Sequence, residues 1–169
     1  VAGTTHLLEH LWFAGTKKFS RKAITDLIEQ EGSAINAITG FATCGITFQC
    51  LNNQFKTVFS VVSDMILQPK LTPSAIKQEI KIVESEIDQS KSDVTSVLFD
   101  GILSHFLKGI YPVLGTPESL NCIDRTILLD RHKQIWRAGN IVIYITTSLS
   151  YEELEKDLVK FSESLNPGN

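Results

Sequence analysis

Gly3-Thr4-Thr5-His6-Leu7-Leu8-Glu9-His10-Leu11-Trp12-Phe13-Ala14-Gly15-Thr16 is the stretch from which this 169-residue chain is best read. Apart from His6, Glu9 and His10, the segment from His6 to Phe13 is apolar, so a helix here is hydrophobic on every other face. Such a helix belongs in a core. A buried polar cluster costs several kcal/mol unless its groups find partners. A metal ion would satisfy all three side chains at once.

Four residues make about one helical turn, which stacks His6 over His10 and lets both reach one cation. Neutral imidazole suits zinc, and a catalytic zinc keeps three protein ligands and a water. Glu9 lies beside the two histidines, where it can take the proton from that water, a division of labour suited to amide hydrolysis. The third ligand must come from elsewhere. A later helical stretch carries Glu79, Glu84, Glu86 and Asp88. Glu79 and Glu86 are two turns apart on one face, next to Val83, whereas Glu84 points elsewhere. Geometry alone leaves Glu86 and Glu79 as equal candidates.

The bulk properties narrow the class. With 43% hydrophobic and 21% charged residues, the composition is that of a globular domain, and the length suits one core rather than two. A net charge of −3 gives no electrostatic case for nucleic acid. No apolar run is long enough to span a bilayer. Cys44, Cys50 and Cys122 form an odd set without a CxxC and read as free structural thiols in a reducing compartment.

Working outward, Thr4 or Thr5 is expected to cap the first helix, which runs to about Ala14 and stops at Gly15. Ser20 caps a second helix through Ile24, Leu27 and Ile28, ended by Gly32. Residues 34–39 and 43–51 read as an antiparallel strand pair, with Cys44, Ile46, Phe48 and Cys50 alternating onto one face. Phe55 to Ile66 reads as a third helix, closed by Pro69. Thr72-Pro73 starts a fourth, with a core stripe of Ile76, Ile80, Val83 and Ile87, ending near Ser90. A polar loop at 90–93 leads to a fifth helix through Leu98, Ile102 and Phe106. A loop from Tyr111 to Pro117 precedes a sixth from about Asp124. Residues 141–146 are rich in β-branched side chains and read as a strand; Tyr151 to Phe161 reads as a final helix. The expected fold is α+β: a two-layer α/β sandwich with a mainly antiparallel sheet packed against helices, in a single domain over 1–169.

The opening stretch resembles the inverted zinc motif, HxxEH, of the pitrilysin/insulinase metallopeptidases, which include mitochondrial and bacterial processing peptidases. In that family the third ligand is a Glu about seventy-five residues after the second His, in a helix with another Glu seven residues earlier. Glu86 stands 76 positions after His10, and Glu79 seven before it. The resemblance therefore implies one zinc per chain held by His6, His10 and Glu86, with Glu9 as general base and Glu79 as a supporting carboxylate. It extends across nearly the whole chain. Ile35-Asn36-Ala37-Ile38-Thr39 looks like the family's substrate-side edge strand, which implies that Asn36 and Ala37 contact the peptide backbone. Residues 63–69, Leu114-Gly115-Thr116-Pro117-Glu118 and 137–142 match further landmarks in order.

The resemblance implies a zinc-dependent endopeptidase acting on extended peptides or presequences inside a mitochondrial-type organelle or a bacterial cytoplasm. It also implies a partner: family members pair this domain with a second, similar domain or subunit that supplies an Arg and a Tyr. They carry a strand pair before the first motif, and this chain starts after it. Ala42 and Gly45 depart from the bulkier or charged residues common in the family. Two rival readings are a non-catalytic subunit, like the respiratory-complex core proteins that resemble this family, and a metal-binding half-domain that needs a second subunit. His105 and His132 read as ordinary structural histidines. Lys17, Lys18, Arg21 and Lys22 read as a solvated basic surface.

Overall fold

The computed structural model describes every residue except 31, 107, 108, 110 and 169. Helix α1, Thr4–Trp12, lies at the centre and packs against a strand pair and two other helices. Leu7, Leu8, Leu11 and Trp12 are fully buried, while His6, Glu9 and His10 are half-buried along one stripe. Burying each of these large side chains contributes roughly 1.5–3 kcal/mol. That anchors the polar stripe in a fixed direction.

The expected threonine cap of α1 is absent. Gly3 occupies the cap with φ +79, and no side-chain hydrogen bond closes the helix start. The cause is close packing: a Cβ on Gly3 would stand 2.7 Å from the Leu114 carbonyl oxygen. Gly115, also at φ +79, lies back to back with Gly3. Thr4 and Thr5 fall inside α1 instead, where Thr4 donates to the Val1 carbonyl and Thr5 accepts from the Arg131 guanidinium.

Helix α2, Arg21–Gln30, begins where Ser20 accepts from the Ala23 N–H. Strands β1, Ala34–Thr39, and β2, Cys44–Gln49, form an antiparallel hairpin in which Asn36 opposes Thr47 and Thr39 opposes Cys44. Ile35, Ala37, Thr39, Cys44, Ile46 and Phe48 are half-buried, and all but Thr39 pack on the core. Asn36 and Ile38 face outward and are exposed.

Helix α3, Phe55–Leu67, packs its apolar side inward, and Phe48, Phe55, Phe59 and Phe161 form a chain of ring contacts through the core. Helix α4, Pro73–Ser92, is capped by Thr72 and has Pro at its first turn, as expected. It absorbs the expected polar loop: Ser90 and Lys91 form its last turn, and Asp93 is the only break before α5, Val94–Phe106. A short helix not expected from sequence, α6, Pro117–Asn121, is closed by a reciprocal Thr116–Ser119 cap. Its brevity hides it from periodicity, which needs several turns. Helices α7, Arg125–Ile135, and α8, Tyr151–Glu163, start at Asp124 and Ser150 as capping residues.

Among the described residues the sheet is the two-stranded β1–β2 pair. Residues 141–147 have no regular strand pairing. They line a broad groove of ≈ 1380 Å³ together with Cys44, Ile46 and Phe48. A β-rich composition makes a strand only when a neighbouring edge lies within hydrogen-bonding distance. The result is a helix-rich α+β fold with a small antiparallel sheet on one side of α1.

Candidate metal centre

α1 and α4 are packed neighbours, and their facing polar side chains meet. His10 Nε2 is 3.4 Å from Glu86 Oε2, and His6 Nε2 is 3.7 Å from the same oxygen. The two imidazole rings stand edge-on, 4.8 Å between centroids. One donor atom from each of His6, His10 and Glu86 falls within 4.8 Å of the others. Donors bound about 2.1 Å from one tetrahedral ion would stand about 3.4 Å apart, so these side chains need little movement to share one. Two imidazoles and a carboxylate are a donor set suited to zinc. Glu79 and Glu86 stand differently towards the two histidines. Glu86 is 37% exposed and faces both histidines, while Glu79 is 2% exposed and lies behind one of them.

Glu79 is two turns N-terminal to Glu86 on α4. Its Oε2 lies 3.4 Å from His10 Nδ1, and its Oε1 accepts from the Arg21 guanidinium. The two ring nitrogens of His10 thus face one carboxylate each, and a carboxylate behind a metal-binding histidine is the usual means of orienting its ring. Burial, and then the neighbouring His10, hold His6 below the ordinary imidazole value, against the opposing pull of Glu86. The lowered value favours the neutral His6 imidazole, the form that binds metal.

Arg21 therefore pairs with the buried carboxylate beside His10 and is not part of a solvated basic surface. Lys18 also departs from that expectation, since its ammonium lies 3.2 Å from the buried Asp64 carboxylate. Lys22 pairs with Asp26 on the surface. The sequence marked all four bases as a charge cluster; only packing singled out two of them.

Glu9 shares the half-buried stripe of α1 with the histidines. Its Oε2 accepts a hydrogen bond from Thr39 Oγ1, at the end of β1. The same strand carries Asn36 and Ala37. Neither belongs to the donor cluster: Asn36 is exposed on the outer face, and Ala37 is half-buried on the inner one. His105 is exposed, and His132 is half-buried on α7; neither joins His6, His10 and Glu86. Cys44, Cys50 and Cys122 are free thiols. No helix among the described residues is long and apolar enough to cross a membrane.

Comparison with known proteins places this geometry in context. Residues 1–110 match the family model described as Insulinase (Peptidase family M16). The chain is 28% identical over 169 residues to the probable mitochondrial-processing peptidase subunit beta of Schizosaccharomyces pombe, covering 98% of this chain and 37% of that protein. It is 22% identical over 169 residues to an uncharacterized zinc protease of Rickettsia bellii, covering 98% of this chain and 41% of that one. The chain thus spans well under half the length of these relatives. Among solved structures, the inactive domain of a peptidase M16 from Pseudomonas fluorescens superposes with a TM-score of 0.89 at 15% identity, covering 99% of this chain and 42% of that one. Pitrilysin superposes at 0.83 with 18% identity, covering 97% of this chain and 18% of that one. At such identities the superpositions speak for the fold alone.

Proposed function

Because this chain belongs to the insulinase family, peptidase family M16, we propose that it forms the metal-bearing part of a zinc-dependent endopeptidase. The convergence of His6, His10 and Glu86 donor atoms within 4.8 Å carries this reading. Zinc held there would polarise a peptide carbonyl and lower the pKa of water.

The chain's own residues divide the remaining work. His6, His10 and Glu86 would hold the ion. Glu79 orients the His10 ring from behind, and Arg21 pairs with the Glu79 carboxylate. Glu9 is the general base: its carboxylate accepts the proton of the attacking water and then delivers it to the leaving amine. A peptide lies extended along β1, where Asn36 and Ala37 meet its backbone by strand addition. A second homologous domain or subunit supplies an Arg and a Tyr toward the scissile carbonyl. The named relatives favour an intracellular setting of mitochondrial or bacterial type. A non-catalytic role would be supported by a lost ligand, and none of His6, Glu9, His10 and Glu86 is lost.

The test is metal content and peptidase activity of wild type beside Glu9→Gln, alone and with a second half. One zinc in both proteins and turnover only in the wild type is the expected result. Equal turnover in the two would remove Glu9 as base. No bound metal in either would remove the site.

A further inference from the structure

The site is oriented from two sides. Glu79 and Arg21 act on His10 from α4 and α2, whereas Glu9 is held from the sheet, through Thr39. Thr39 is the last residue of β1, paired with Cys44, and its side chain lies on the half-buried face. The strand ladder fixes its backbone, and β-branching restricts its χ1, so the hydroxyl has a set direction. A carboxylate only accepts hydrogen bonds, so the hydroxyl is the donor in this contact. One Glu9 oxygen, Oε2, is thereby engaged.

We propose that Thr39 is a positioning residue: its hydroxyl clamps Oε2 of Glu9 so that Oε1 is presented to the proton being transferred. This rests on the reading of Glu9 as general base. A glutamate side chain has three rotatable bonds, and an unclamped carboxylate would spend its time in several rotamers. The clamp also ties the base to the strand that carries Asn36 and Ala37, so the peptide-binding edge and the proton acceptor share one rigid element. The proton path is unchanged by the clamp: Thr39 keeps its own proton, and Oε1 gains and loses the transferred one.

Thr39→Val removes the donor with little change in shape, and Thr39→Ser keeps the donor. In the full-length protein with any second half present, Thr39→Val should lower kcat by about 10- to 100-fold, the scale expected for a misplaced catalytic group. KM, zinc stoichiometry and zinc affinity should stay near wild type, and Thr39→Ser should recover most of kcat. A second readout needs no turnover. In the metal-free protein the Thr39 hydroxyl proton should exchange slowly by NMR and become fast-exchanging in Glu9→Ala. Wild-type kcat in Thr39→Val, a serine variant as impaired as the valine one, or fast hydroxyl exchange in the wild type would overturn the clamp. A slow hydroxyl in a wild type whose turnover equals that of Glu9→Gln would leave the contact standing and overturn the base assignment instead.

Discussion

His10 and Glu79 meet across the α1–α4 packing with Nδ1 3.4 Å from Oε2, and the carboxylate is almost wholly excluded from solvent. On the proposed reading, this contact orients the ring so that Nε2 faces Glu86. Glu79→Gln should therefore weaken zinc binding by about 10- to 100-fold, the usual scale for a partner of a metal-ligating histidine. Glu84→Gln, on another face of α4, should leave affinity unchanged. Competition against a chromophoric chelator measures both.

Glu79 is also an ion-pair partner, so Arg21→Met should destabilise the metal-free fold. A buried carboxylate deprived of its cation costs several kcal/mol, but Arg21 is 45% exposed, and water will replace part of the contact. The expected loss is about 2 kcal/mol in urea unfolding. Combined with Glu79→Gln it should cost less than the two separate losses, because both remove the same charge pair.

Gly115 and Gly3 touch back to back at the start of α1. A Cβ on Gly115 would stand 2.9 Å from Gly3 Cα and 3.0 Å from the Ala2 carbonyl oxygen, on backbone already at positive φ. Gly115→Ala should cost about 2 kcal/mol or more and should also weaken zinc binding, by moving the turn that precedes His6. Gly45→Ala, with no atom within 4 Å of its Cβ, should be close to neutral. Thermal unfolding of the pair distinguishes steric from general glycine effects.

Burial alone lowers the His132 pKa from 6.5 to about 4. Its Nδ1 has no hydrogen-bond partner among the described residues. The unfolded chain then binds a proton between pH 6.5 and 4 that the folded one refuses, so stability falls as pH falls through that window. The full loss is on the order of 3 kcal/mol, reached below about pH 4. His132→Phe should flatten this part of the profile in denaturant titrations at stepped pH, while stability above pH 7 changes little through this linkage.

Much of the fold was legible because its signals are local. Thr72-Pro73, Ser20 and Asp124 mark helix starts through chemistry confined to one turn, and each caps its helix in the structure. The β1–β2 pair follows from strict alternation at Cys44, Ile46 and Phe48. Residues 141–146 failed as a strand for the converse reason, since pairing depends on an edge far away in sequence. The cap of α1 failed likewise: Thr4 and Thr5 are good capping residues, but the approach of Gly115 selects Gly3.

The site divides along the same line. The sequence by itself determined the His6, Glu9 and His10 stripe, since a helix greasy on its other faces can present them in only one direction. It also put Glu79 and Glu86 on one face of a second helix. Only the tertiary structure decided that Glu86 faces both histidines, that Glu79 stands behind His10 with Arg21, and that Thr39 reaches Glu9. Helical periodicity sets the angle of a side chain about its own axis. Which element it meets is set by how the cores of separate elements pack, and that packing is written in no single stretch of chain.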